Sequence, residues 1–143
     1  MSNKKIAIAS DHGGFSLKQQ FVTQLQSKGY EVVDLGCHDE SSVDYPEFGH
    51  AMAAAIEDGT VDKGVIICGS GVGISIAANR HANIRAALCT SGLMARLARQ
   101  HNDANVLALG ARIIGLETAL DCLNEFLTTE FEGGRHQARI EKI

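Results

Sequence analysis

The residues with the most chemistry in this chain fall into four short stretches. "CGSGVG" (68–73) sets a thiol at the end of an apolar run, directly before three closely spaced glycines. "SDHGG" (10–14) sets a carboxylate and an imidazole before a glycine pair. "RQHNDANV" (99–106) holds His101 and Asn102, and "EGGRHQARIEKI" (132–143) holds Arg135, His136 and Arg139.

Glycines that open a helix leave peptide N–H groups unobstructed, a setting that favours a thiolate and holds a developing oxyanion. That suits removal of a proton alpha to a carbonyl, with Cys68 as base and Ser70 sharing the oxyanion with the loop amides. The plainer reading is that Cys68 only ends a buried strand, since free cysteine is among the most buried residue types. Phosphate-loop alternatives fail on spacing. A dinucleotide fingerprint begun at Gly69 needs a glycine where Ile74 stands and an acid near Cys89, and a Walker loop needs lysine where Ile74 follows Gly73. A cysteine phosphatase loop would want a nearby arginine, and the first one is Arg80. A nucleotide-binding α/β module is therefore disfavoured.

In "SDHGG", Asp11 can accept from sugar hydroxyls and His12 can shuttle a proton or meet an anion, although an N-cap aspartate with a surface histidine explains the pair equally. His101, Asn102 and Asp103 end a helix, which places them opposite the strand ends. They serve a site there only if a partner chain brings them over it; otherwise they cap. Arg135 and Arg139, four apart, share one face of a helical tail with His136 beside them, a fit for a phosphate dianion; the alternative is pairing with Glu132 or Glu141.

The elements that must position these residues follow from apolar patterning. Short apolar runs at 5–10, 31–36, 63–69, 84–89 and 104–110 read as strands. Helical patterns at 15–29, 44–59, 74–80, 91–101 and 116–131 alternate with them. The expected fold is α/β, a three-layer αβα sandwich with a Rossmann-like five-stranded parallel sheet and ligands outside the carboxyl ends of the strands. The 143 residues read as one domain, 1–143, with a helical tail over about 132–143. A net charge of −4 without a basic block argues against a nucleic-acid partner, and the N-terminus carries neither a leader nor a spanning segment, which points to a cytoplasmic protein with no membrane partner. The four cysteines form no C-x-x-C pair, so they read as free thiols rather than a zinc ribbon, with Cys37, Cys89 and Cys122 as packing residues.

Across its length, in "IASDHGGFSLK", "DYPEFG", "GVIICGSGVGISIAANR", "IRAAL", "RQHNDANVLALGARIIG" and "EGGRHQARI", the chain resembles the ribose-5-phosphate isomerase B family, which also contains allose-6-phosphate isomerases and galactose-6-phosphate isomerase subunits. The resemblance implies an aldose-ketose isomerase that interconverts ribose 5-phosphate and ribulose 5-phosphate through a cis-enediol(ate), with no metal and no organic cofactor. It implies a homodimer or a dimer of dimers with shared active sites. The base falls on Cys68, and the oxyanion donors on the loop of Gly69, Gly71 and Gly73 with Ser70. Ring opening falls on His101, helped by Asp11. Substrate hydroxyls are met by Asp11, Tyr45 and Asn102, and phosphate by His12, Arg112, Arg135 and Arg139. Many members have threonine in place of Ser70, which leaves the hydroxyl and removes a methyl. Some relatives replace the cysteine base by a glutamate further on, but "ISIAANR" contains no carboxylate. Two alternatives stay open: a six-carbon substrate, allose or galactose 6-phosphate, and a subunit inactive without a different partner. The presence of Asp11, Cys68, His101, Arg135 and Arg139 in one chain favours a self-sufficient enzyme.

Overall fold

Strands that are apolar on both faces can be covered only by helices on both sides, and that is how this chain is built. A computed structural model describes residues 4–143. Residues 1–3, where the segment read as free of a leader begins, lie outside the described residues. Chain order runs β1 (Lys5–Ser10), a 3-10 turn (His12–Gly14), α1 (Phe15–Ser27), β2 (Glu31–Asp34), α2 (Tyr45–Glu57), β3 (Gly64–Cys68) and α3 (Val72–Asn79). It continues with β4 (Ala86–Leu88), α4 (Gly92–Asn102), β5 (Val106–Gly110), α5 (Leu116–Thr128) and α6 (Arg135–Ile140). The five strands form one sheet in the order β2-β1-β3-β5-β4, and every pairing is parallel.

The period of two along each strand divides the core. Ile6, Ile8, Val65, Ile67, Leu107 and Leu109 face one side, where they meet Phe21 and Leu25 of α1, Ala95 of α4, and Leu123 and Phe126 of α5. Ala7, Ala9, Ile66, Cys68, Val106 and Ala108 face the other, against Met52 and Ala53 of α2 and Ile74 and Ala78 of α3. The result is the expected three-layer α/β sandwich, with the Cys68 side chain in the layer of α2 and α3.

Most boundaries fall within a few residues of expectation, and the differences have local causes. β2 stops at Asp34 rather than at residue 36 because the Asp34 carboxylate accepts the Gly36 N–H at 3.0 Å, and Gly36 turns to φ +102. α3 starts at Val72, two residues early, because Gly71 caps it with φ +78 and the Ser70 hydroxyl accepts the Val72 N–H at 3.1 Å. A side chain at Gly71 would be strained by that φ and would also strike Leu88 and the Leu109 backbone. In the tail, helix occupies only Arg135–Ile140.

Candidate active site

The chain leaves β1 towards β2 on one side and arrives at β3 on the other, so the loops after β1 and β3 lie side by side at a reversal of strand order. The loop after β1 is held from both flanks. Ser10 exchanges hydrogen bonds with the Gly36–Cys37 turn (Ser10 N–H to Gly36 C=O, 2.7 Å; Cys37 N–H to Ser10 C=O, 2.8 Å), and the Asp11 N–H donates to the carbonyl of Ile67 in β3 at 3.2 Å. The turn is anchored in turn by an ion pair between a buried lysine and a partly exposed aspartate. Lys18 of α1, which has no exposed surface, places its ammonium 2.7 Å from both carboxylate oxygens of Asp34. The sequence places Lys18 among the apolar residues of the helical pattern, a lone charge on that face, but does not name Asp34 as its partner.

Asp11 is itself nearly buried, at 8% exposure, and its carboxylate accepts the Gly14 N–H at 3.1 Å. Asp11 thus combines the capping role with a place in the lining of the strand-end cavity. His12 accepts the Val43 N–H on Nδ1 at 3.1 Å, which leaves Nε2 as the nitrogen that carries the proton in the neutral ring.

After β3, Cys68 is 4% exposed and its sulfur accepts the Gly71 N–H at 3.1 Å. A peptide donor at the head of a helix interacts more strongly with a thiolate than with a thiol. At the packing cysteines burial pushes the Cys89 thiol up to about 12, helped by Cys122, and the Cys122 thiol up to about 11, helped by Asp121. β5 ends level with β3, since Cys68 is paired with Gly110, and the Arg112 N–H donates to the Gly69 carbonyl at 2.9 Å. This lays the Arg112 side chain over Gly69. Tyr45, at the first turn of α2, packs against Gly73 so closely that any side chain there would collide with the ring.

Asp11, Tyr45, Cys68, Gly69, Ser70, Gly73 and Arg112 all line one open cavity of about 570 Å³. Val72, Ile76 and Ile113 line it too, about half exposed, and were not anticipated. Their signal was the spacing of Val72 and Ile76, four apart on the helix face away from buried Ile74 and Ala78.

The remaining candidates lie at the other pole of the sheet. α4 runs from the carboxyl end of β4 back to the start of β5, so His101 and Asn102 sit where the strands begin, as expected of a helix end. Buried Arg99, unremarked in the sequence, fixes this corner: it donates to the Asp103 carboxylate and the Ala104 carbonyl, each at 2.8 Å, and to Thr129 C=O at 3.1 Å. The Glu132 N–H donates to the Gln100 carbonyl at 3.1 Å, which docks the tail on the end of α4. Arg135 and Arg139 are exposed on α6. His136 does not share their face: it is buried, and its ring stacks on His101 with centroids 4.4 Å apart. Glu141 is taken by Gln137, and Glu132 lies beside both histidines.

One chain therefore carries two groups of candidate residues, separated by the length of the sheet. The sequence profile described as Ribose/Galactose Isomerase matches residues 6–143. Ribose-5-phosphate isomerase B of Escherichia coli (strain K12) is 50% identical over 98% of this chain and 94% of its own length. The solved ribose-5-phosphate isomerase B of Clostridium thermocellum is 54% identical, with a TM-score of 0.95 over 96% of this chain and 93% of that one. That of Mycoplasma genitalium, solved with bound ribulose-5-phosphate, is 43% identical, with a TM-score of 0.92 over 96% and 92%. With a matched profile over nearly the whole chain and relatives of this similarity, the protein belongs to the ribose/galactose isomerase family.

Proposed function

We propose that the protein is an aldose-ketose isomerase that interconverts ribose 5-phosphate and ribulose 5-phosphate, acting as a homodimer whose two sites each combine the strand-end pole of one chain with the α4 and tail pole of the other. The observation that carries the mechanism is the Cys68 sulfur, which accepts the Gly71 N–H at 3.1 Å in a cavity that also holds Asp11 and Arg112. His101 hands a proton to the ring oxygen while the anomeric hydroxyl loses its own near Asp11, which opens the sugar. The Cys68 thiolate then removes the proton on C2 of the open aldose. The electron pair of that bond moves into an enediolate, stabilised by the amides of the 69–73 loop. Ser70 relays a proton between O1 and O2, and Cys68 returns its proton to C1 to give the ketose. His12, Arg112, Arg135 and Arg139 hold the phosphate; Tyr45 and Asn102 meet hydroxyls.

This assignment gives the exposed Arg135 and Arg139 a ligand and explains how His101 reaches a cavity that its own chain keeps at the far end of the sheet. The Mycoplasma genitalium relative with bound ribulose-5-phosphate supports the five-carbon substrate. No helix among the described residues is long and apolar enough to cross a membrane, in keeping with a cytoplasmic enzyme. The direct test is the isomerisation rate of the purified protein on ribose 5-phosphate, allose 6-phosphate and galactose 6-phosphate. Pentose turnover is expected. Activity on a hexose phosphate alone would keep the chemistry and change the substrate, and silence on all three from a folded protein would point to a subunit that needs a different partner.

A further inference from the structure

Outside the strand-end cavity, the densest group of ligating side chains is at the end of α4. His101, His136 and Glu132 each offer one ligand atom there, and the three atoms lie within 4.8 Å of one another. The carboxylate oxygen is 3.5 Å from His136 Nε2 and 4.0 Å from His101 Nε2. The geometry points to a three-ligand site for a divalent transition metal of the zinc type, which on binding withdraws the His101 imidazole and so inhibits the enzyme.

Two nitrogens and one carboxylate oxygen, with a fourth position open to solvent, form a donor set that zinc takes. Tetrahedral zinc, with ligand distances of about 2.1 Å, needs ligand atoms about 3.4 Å apart, so the two contacts to Glu132 contract by only tenths of an ångström. Both Nε2 atoms already face the same carboxylate oxygen from rings stacked 15° from parallel. They must tilt towards each other, and His101, with 40% of its side chain exposed at a helix end, has room to swing. The backbone frame needs no change, because the Glu132 N–H bond to Gln100 and the Arg99 clamp hold the tail against α4. Magnesium and calcium do not suit the site, since they require several oxygen ligands, and the exposed Arg135 and Arg139 oppose a cation held by charge alone. A metal that binds imidazole nitrogen strongly is selected.

The inhibitory half of this inference rests on the role proposed for His101; the binding half does not. The test is calorimetric titration of the full chain with zinc chloride, beside Glu132→Gln and His136→Gln, together with zinc inhibition of isomerisation measured against each protein's own zinc-free rate. One zinc per chain is expected, weakened at least about tenfold in both variants, since loss of even an outer partner of a zinc site costs that much. Inhibition should be relieved in Glu132→Gln, a substitution of nearly equal size at a half-exposed side chain. No saturable binding, or equal affinity in wild type and both variants, would overturn the site, and tight binding with full turnover would overturn its inhibitory role. Variant-sensitive binding by a protein inactive on every sugar phosphate would keep the site and remove the isomerase reading.

Discussion

The two poles of this molecule are built in different ways. At the strand-end pole the candidate groups are set by backbone: Asp11 and Cys68 are buried, each accepts a peptide N–H, and the two loops are tied to strands and to the Lys18–Asp34 pair. At the α4 and tail pole the backbone is clamped by Arg99, but Asn102, Arg135 and Arg139 are exposed. Groups that remove a proton need fixed distances, and a folded sheet end supplies them. Groups that grip a phosphate need long cationic side chains free to close on it. The strand-end pole accordingly carries the larger cavity, of about 570 Å³, while at the other pole Asn102 borders one of about 350 Å³ and the arginines stand on the surface.

The sharpest way to break the comparison is to remove one chemical group from each pole. Cys68→Ala is expected to cut turnover by about 10²–10⁴-fold, the usual worth of a positioned acid-base group, with the fold kept. Mixing Cys68→Ala chains with His101→Asn chains should then restore activity, to about a quarter of wild type after full exchange of equal amounts, because half the dimers are mixed and one of the two sites in each is intact. Mixtures as dead as the parents would mean that the two poles do not meet in one site.

Stability should separate the poles as well. Asp34→Ala leaves Lys18 charged, buried and alone, and should cost about 3 kcal/mol in urea unfolding; Arg135→Ala should stay within about 0.5 kcal/mol of wild type. Equal losses would erase the distinction between a built pole and a presented one. For binding, Arg139→Ala should raise KM for the sugar phosphate about 10- to 100-fold with a smaller change in kcat, the scale of one charge-assisted hydrogen bond. The smallest expected effect is at the rim of the cavity: Ser70→Thr restores a methyl that restricts χ1 and should raise kcat by no more than about fourfold.

Much of the fold was legible in the sequence because its signals are local. The alternation of Ile6, Ala7, Ile8 and Ala9, and the helical spacing of Phe21 and Leu25, appear in the structure as the two faces of the sheet and the inner face of α1. The glycine turn at Cys68 was legible for the same reason, since the need for an N–H beside the sulfur is met three residues away by Gly71. The roles of Lys18 and Arg99 were not, because a buried charge is identified by the partner that the fold brings to it, here Asp34 and Asp103. His136 was misjudged in direction: on a helical wheel it stands next to the arginines, but docking of the tail on α4 turns it inward onto His101.

By itself, then, the sequence determined the α/β alternation, the loops that must carry chemistry and the residue types in them, because periodicity, glycine and capping act over a few residues. The same alternation already put His101 and Asn102, at the end of a helix, opposite the strand ends. Only the tertiary structure decided which loops adjoin and where the tail docks: strand order places the loops after β1 and β3 together, and the Glu132 N–H bond to Gln100 lays the tail on the end of α4; neither follows from any stretch of residues read alone.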